Sequence, residues 1–334
     1  MTAALGAALA GLLAWALTWA YLRAMRARMS LEPPSARGMH AVAKPTGAGV
    51  VFIPVALGAW TVTHWGDLGL VHLTLIAASL FLAAVSWVDD QRGGLPPVVR
   101  IACHAAAVAA LLLQLDEGTR VAPWLPLPLE RVALGIAWLW LINLFNFMDG
   151  IDGMAGSEAI AIALGYWLVP VSIAAGGVLP DLSLILAAAA AGYLVWNWYP
   201  AKVMMGDAGS IPLGFLLGWL LLDLATRGLW AAALILPLYF AADATFTLIA
   251  RVVRGEKPWQ PHREHFYQRA VLAGRTPSHV VARVSIANVC LVLLALLSVV
   301  HPLPALAGAA AVVTTLLLHL RQTAHRNHQK TVQK

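Results

Sequence analysis

Apolar stretches of about twenty residues, the length a helix needs to cross ~30 Å of hydrocarbon, recur from one end of this chain to the other and restrict it to a fold solvated mostly by lipid. They lie near Thr2–Leu22, Thr46–Trp65, Leu70–Val88, Val98–Leu115, Arg131–Met148, Gly156–Ala174, Leu182–Trp198, Ile211–Thr226, Leu229–Ala250, His279–Val300 and Leu303–Leu320. That makes eleven expected spans in an all-α, polytopic helical membrane protein. Of 334 residues, 60% are hydrophobic and 11% charged, against roughly 45–50% apolar and about 25% charged in soluble domains.

Lysine and arginine set the orientation, because cytoplasmic loops near span ends carry an excess of them. Nineteen of the 22 fall in one set of alternate loops and tails, and only Arg120, Arg131 and Arg227 in the other. The bias places the N-terminus outside and the C-terminus in the cytoplasm. The first span has no positive residue before it and arginines just after it, so it reads as an uncleaved anchor. Cys103 and Cys290 both sit in apolar segments, which indicates neither a disulfide framework nor a metal knuckle. The basic balance has a membrane explanation, and no basic stretch interleaved with stacking aromatics points to nucleic acid. The whole chain, 1–334, reads as one integral membrane domain with a cytoplasmic tail from 321. Two cytoplasmic segments, Arg23–Pro45 and Arg251–Ser278, are longer than connectors need to be, as functional loops often are.

The polar residues gather on that cytoplasmic side. Asn143-x-x-Asn146-x-x-Asp149-Gly-Ile-Asp152-Gly joins two apolar segments, Asp89-Asp90 ends another, and Gly206-Asp207-x-Gly209-Ser210 opens a third. Asn197 and Lys202 close a tryptophan-rich span end, and His262-Arg263-Glu-His265-x-Tyr267-Gln268-Arg269 lies in the last cytoplasmic loop. On the other face Asp67, Asp116, Glu117, Glu130 and Asp181 share no spacing and read as loop solvation. Each cluster has a plain reading as well. Paired acids can simply end a helix in water, Asp207 can be a helix N-cap, Asn197 can be a cap, and His262 with His265 can be surface residues. Asp149 and Asp152 could share one helix face, although Gly150 and Gly153 suggest a loop there. Together, however, hard carboxylates and amides suit Mg2+, which takes oxygen ligands and is usually completed by substrate phosphates, with Mn2+ as the alternative. Nearby arginine, lysine and histidine suit a diphosphate. The residues therefore point to metal-assisted phosphoryl transfer between a soluble phosphate compound and a lipid in the bilayer.

These motifs, in this order over about 44–269, resemble the polyprenyl-phosphate N-acetylhexosamine-1-phosphate transferases of glycosyltransferase family 4. The last loop and Lys44-Pro-Thr-Gly-x-Gly49 look most like the O-antigen and exopolysaccharide initiating branch. The pentapeptide-transferase branch carries a histidine triplet that this chain lacks. The resemblance implies attack of undecaprenyl phosphate on a UDP-N-acetylhexosamine at the cytoplasmic face of a bacterial inner membrane, giving undecaprenyl-diphosphate-sugar and UMP. It implies Asp207 and Asp149 as Mg2+ ligands, and Asp89 or Asp90 as the group that orients or deprotonates the lipid phosphate. Asn146 and Asp152 would line the nucleotide pocket, with Asp152 on the uracil or ribose. Lys44, His262, Arg263 and His265 would meet diphosphate or sugar, and Asn197 would contribute to the pocket.

The resemblance also marks departures: Met204 stands where many relatives place an aromatic residue, and His104 where a glutamine is common. Asp243, deep in the ninth span, is a further candidate because an ionisable group at membrane depth is expensive to keep. A GlcNAc-1-phosphate transferase for common antigen or teichoic acid linkage is the nearest rival. A transporter would show internal repeats with broken helices in corresponding positions, which are not seen, and an idle scaffold need not keep the carboxylates. Glycine- and alanine-rich helix faces could pack within the bundle or in a homodimer.

Overall fold

The computed structural model describes residues 2–28, 44–92, 94–174, 177–257 and 260–332, so most of the Arg23–Pro45 segment lies outside the described residues. Among those described, the chain forms helices and turns and no strand. The helices are α1 (Ala3–Arg28), α2 (Gly49–Thr63), α3 (Leu70–Arg92), α4 (Pro97–Leu112), α5 (Leu127–Met148), α6 (Met154–Ser172) and α7 (Val178–Asn197). They continue with α8 (Asp207–Thr226), α9 (Trp230–Ile235), α10 (Leu238–Val253), α11 (Phe266–Leu272), α12 (Pro277–Leu297) and α13 (Pro302–Val332). Eight of these, namely α1, α3, α5, α6, α7, α8, α12 and α13, are long and apolar enough to cross a membrane, while α2 and α4 are apolar but shorter.

Every expected span coincides with helix, but the ninth is not continuous. It breaks at Leu236-Pro237 into the six-residue α9 and α10, where Pro237 has no N–H with which to continue the ladder. The long segment Arg251–Ser278 is also not plain loop, since it carries the short helix α11.

Helix α8 is the axis of the bundle. It packs against α2, α3, α5, α6 and α9, and 83% of its apolar window is buried, against 28% for α1 at the periphery. Trp138 of α5 stacks on Phe215 of α8 at 5.0 Å and donates its indole N–H to the Phe215 carbonyl at 3.0 Å, which satisfies a polar atom that burial would otherwise penalise. Large apolar side chains such as Leu12, Leu73 and Ile286 remain on the outside, as a surface facing lipid requires.

One end of the bundle collects the C-termini of α3, α5, α7 and α10 and the N-termini of α2, α4, α6, α8 and α11. The strip before α2 lies along the strip before α8: Met204 N–H donates to the Pro45 carbonyl (2.8 Å), Ala48 N–H to Met204 (3.1 Å) and Gly49 N–H to Met205 (3.0 Å). Helices α2 and α8 therefore start side by side, so close that a Cβ on Gly49 would sit 2.0 Å from the Gly209 Cα. The Lys44–Gly49 motif is thus the wall on which the Gly206-Asp207 turn rests.

The opposite end corrects one expectation. Glu130 is not solvated loop: it is 1% exposed and accepts from Arg120 and from the backbone N–H groups of Val121 and Ala122 at 2.6 and 2.8 Å. It ties the α4–α5 loop to the first turn of α5. Asp181 is likewise paired, with His64 at 3.0 Å.

Candidate active site

Arg100, in the first turn of α4, organises the centre. Its Nη2 meets Asp207 Oδ2 at 3.0 Å and its Nε meets Asp89 Oδ2 at 3.3 Å, so one guanidinium spans the end of α3 and the start of α8. Asp89 is held from behind by the Leu95 N–H, within the turn that reverses the chain from α3 into α4. Asp207 begins α8 after Gly206, whose φ of 71° opens the turn. Its Oδ1 accepts from Asn146 Nδ2 at 2.6 Å, and the same amide reaches Ser210 Oγ at 3.1 Å. Asn146 is thereby joined to the Gly-Asp-x-Gly-Ser turn across 61 residues of sequence.

Asp149 and Asp152 do not share a helix face. Helix α5 ends at Met148, and Asp149 to Gly153 form a loop that re-enters helix at Met154, with Gly153 at φ 81°. Asp152 is buried and already engaged: both oxygens accept from Lys44 Nζ, at 2.9 and 3.0 Å, and Oδ2 also accepts the Ala201 N–H at 2.8 Å. Asn197 is fully buried and bridges backbone to backbone, its Oδ1 accepting from Gly153 N–H and its Nδ2 donating to the Val203 carbonyl, both at 2.9 Å. Lys44, Asp152 and Asn197 therefore form a brace between the 149–153 loop and the 198–206 loop. Asn143 takes no part, because its amide bonds back to the Leu139 carbonyl at 2.7 Å.

Asp149 differs from its neighbours. Its Oδ1 is buried without a hydrogen-bond partner. Burial, reinforced by the nearby Asp207 and Asp152 carboxylates, pushes its carboxyl well above the ordinary range. A buried anion facing another anion is the environment a divalent cation relieves. Among the described residues no group of three or more His, Cys, Asp or Glu side chains could hold a metal. Two neighbouring carboxylates are hard oxygen donors of the kind Mg2+ takes, with substrate phosphate and water completing its shell. Asp149 and Asp207 are the side chains that would hold it.

Asp90 points elsewhere. With Tyr21, Pro54, Leu80 and Trp87 it lines a cavity of about 890 Å³ between α1, α2 and α3. The last loop forms a third layer. His262 and His265 lie with ring centroids 4.9 Å apart, and His265 stacks on Tyr267 at 5.7 Å. The Tyr267 hydroxyl donates to the Phe147 carbonyl at 3.0 Å, which sets this loop against the end of α5. Glu264 joins Arg251, Arg254 and Arg269. Partial burial raises its carboxyl, but Arg254 and Arg251 outweigh that and hold it below its ordinary value. Arg263 is exposed at the rim.

The structure thus joins Asn146 to Asp207 directly and Asp89 to Asp207 through Arg100, with Asp149 beside them. Lys44, Asp152 and Asn197 form the supporting brace, Asp90 faces the cavity, and His262, Arg263 and His265 sit on the loop behind Tyr267. Arg100 is the residue the sequence reading passed over as one more cytoplasmic charge. The signal for it was its place, eleven residues after Asp89 at a span start, and only the fold shows what it touches.

Fold and site define a polytopic helical membrane protein with a carboxylate cluster bridged by arginine at one end of the bundle. The sequence model of glycosyl transferase family 4 matches residues 72–225. A probable undecaprenyl-phosphate N-acetylglucosaminyl 1-phosphate transferase of Bacillus subtilis is 26% identical over 260 residues, covering 73% of this chain and 70% of that protein. A phospho-N-acetylmuramoyl-pentapeptide-transferase of Thermosynechococcus vestitus is 32% identical over 233 residues, 63% of this chain and 58% of that protein. A decaprenyl-phosphate N-acetylglucosaminephosphotransferase of Mycolicibacterium smegmatis is 26% identical over 286 residues, 73% of this chain and 69% of that protein. The family model and these relatives make the chain similar to the superfamily of polyprenyl-phosphate N-acetylhexosamine-1-phosphate transferases.

Proposed function

We propose that this protein transfers N-acetylhexosamine-1-phosphate from a UDP-sugar to undecaprenyl phosphate at the cytoplasmic face of a bacterial inner membrane, to begin an O-antigen or other surface polysaccharide. The observation that carries the reading is the Asp89–Arg100–Asp207 bridge beside the unpartnered Asp149 carboxylate: fixed positive charge and hard oxygen ligands meet where two polyanions would. In the reaction an oxygen of the lipid phosphate bonds to the β-phosphorus of the nucleotide sugar. The bond from that phosphorus to the bridging oxygen breaks, and UMP leaves with the electron pair. A phosphate monoester with a second pKa near 6 is mostly dianionic at neutral pH, so Asp89 and Asp90 need only position it.

Arg100 offsets charge on the transferring group, and the Lys44–Asp152 brace keeps the two loops in register. Mg2+ on Asp149 and Asp207, or Mn2+ in its place, would supply charge neutralisation for the diphosphate. The cavity beside Asp90 suits the first isoprene units of the acceptor. This reading goes with eleven crossings, the N-terminus outside and the C-terminus in the cytoplasm. The names of two relatives make UDP-GlcNAc the first donor to try.

The test is transfer by purified protein from radiolabelled UDP-N-acetylhexosamines to undecaprenyl phosphate, with Mg2+ or EDTA. Metal-dependent release of UMP with one sugar is expected. Folded protein that releases none across GlcNAc, GalNAc, FucNAc and QuiNAc donors would overturn the reading.

A further inference from the structure

Asp243, on α10, is fully buried and takes no part in the chemistry proposed above. Its carboxylate is nevertheless among the most heavily used groups in the protein. Oδ1 accepts from the Phe266 N–H at 3.0 Å and from Thr247 Oγ1 at 3.4 Å, and lies 3.3 Å from His265 Nδ1. Oδ2 accepts from the Tyr239 hydroxyl at 3.2 Å and the Tyr267 N–H at 3.3 Å. Three of these five partners belong to consecutive residues, 265 to 267, that begin α11. One carboxylate on a neighbouring helix thus satisfies the Phe266 and Tyr267 N–H groups, backbone donors that the start of a helix leaves open, beside a capping box in which the side chains of His265 and Gln268 accept from each other's backbone N–H.

The chain of contacts continues to the site. From the Asp243-held turn, the Tyr267 ring reaches the Phe147 carbonyl at 3.0 Å, two residues before Asp149. Gly150 leaves room for it, since a Cβ there would stand 2.2 Å from the Tyr267 hydroxyl. The loop carrying His262 and His265 and the backbone carrying Asp149 are both fixed by this one arm. Charge and hydrogen bonds buried at this depth cost free energy to desolvate, and a structural cap alone could be made with a neutral side chain from the loop.

We propose that Asp243 is a positioning residue for the transfer reaction: it locks the start of α11, and through Tyr267 it fixes the backbone that presents Asp149. The inference rests on the function proposed above. Two measurements separate its failure from a failure of that reading. The first is hydrogen exchange of the peptides covering 262–272 in detergent-purified protein, which needs no substrate. In Asp243→Asn an amide NH2 replaces one acceptor and opposes a backbone N–H, so exchange there should quicken at least about tenfold while the α8 peptides stay unchanged, a tenfold change being 1.4 kcal/mol.

The second is the transfer assay. Displacements of about 1 Å can cost ~100-fold in rate, so kcat should fall about 10- to 100-fold with KM for the nucleotide sugar within about threefold. Tyr267→Phe, which removes a single hydroxyl, should give the same kcat-only loss. The double variant should lose no more than the worse single one, because both cut the same arm. Unchanged exchange at 262–272 in Asp243→Asn, or losses that multiply in the double variant, would overturn the proposal. Faster exchange in a protein whose wild type moves no sugar phosphate keeps the anchor and removes the transfer reading.

Discussion

Arg100 and Asp149 carry opposite lessons about single residues. Arginine can serve two carboxylates because its fork presents several N–H donors at once, whereas lysine is a point charge. Arg100→Ala should therefore lower kcat/KM for transfer by about 100-fold or more, while Arg100→Lys, able to reach Asp89 or Asp207 but not both, should fall between. Equal activity in Lys and wild type would show that the bridge is incidental. Asp149 is the reverse case, a charge with too little company. Burial and the neighbouring carboxylates raise its folded value above the unfolded one. The unfolded chain then binds fewer protons, so stability falls as pH rises above about 4, the ordinary carboxylate value. In EDTA, Asp149→Asn should melt higher than wild type at pH 7, and the gap should close toward pH 4. Mg2+ should raise the wild-type Tm and leave the variant's unchanged, and it should support no transfer by the variant. A wild-type Tm in EDTA that holds steady from pH 4 to 7 relative to Asp149→Asn counts against the metal pair. Sequence spacing picked out the carboxylates because acids are rare in apolar chains. It could not foresee that Lys44 would be spent on Asp152, 108 residues away, since such pairs exist only in the folded bundle.

At the scale of elements, apolar length located every helix that crosses the bundle but not how closely two of them start. The N-termini of α2 and α8 touch backbone to backbone at Gly49 and Gly209, and the strip 45–49 is hydrogen-bonded to 204–205. Gly49→Ala must push the helices apart, because the obstructing atom is backbone and cannot swing away. The expected result is a loss of about 1–3 kcal/mol, the usual cost of overpacking, with transfer reduced further because Asp207 opens α8. Gly58→Ala in the exposed middle of the same helix meets nothing within 4 Å. It should match or exceed wild-type stability, as alanine is the better helix former by about 1 kcal/mol. Thermal melting of the two variants side by side decides the matter, and equal Tm values would mean that the contact yields easily. The break at Pro237 was visible as a residue but not as a break, since Pro54 and Pro212 sit inside intact helices. What differs is the packing around each, which no periodicity reports. Asp243 shows the same limit: its cost in an apolar segment was legible, and its use, capping a helix that begins 23 residues later, was not.

For the molecule as a whole, the ends of α3, α5, α7 and α10 and the starts of α4, α6, α8 and α11 share one face, and the contacts among Asp89, Arg100, Asn146 and Asp207 hold that arrangement together. The function proposed above puts this face on the cytoplasmic side. On the eleven-span reading of the sequence, nineteen of 22 lysines and arginines fall in the loops and tails of one side, the side that the positive-inside rule makes cytoplasmic. The proposed UDP-sugar donor and UMP product require the same side, since nucleotides are cytoplasmic substrates. Single cysteines in a Cys103→Ala, Cys290→Ala background test this in intact cells with a membrane-impermeant maleimide. Glu117→Cys, on the exposed α4–α5 loop, should label from outside, and Lys257→Cys, on the exposed loop before α11, should label only after the cells are opened. Asp181→Asn, beside His64 at the end of the bundle opposite the site, should leave transfer within about twofold, as surface pairs far from chemistry contribute little. Labelling of Lys257→Cys from outside would invert the bundle. The site would then face a compartment without nucleotide sugars, and the acceptor phosphate, the donor and the Asp89–Arg100–Asp207 bridge could not meet in the cell.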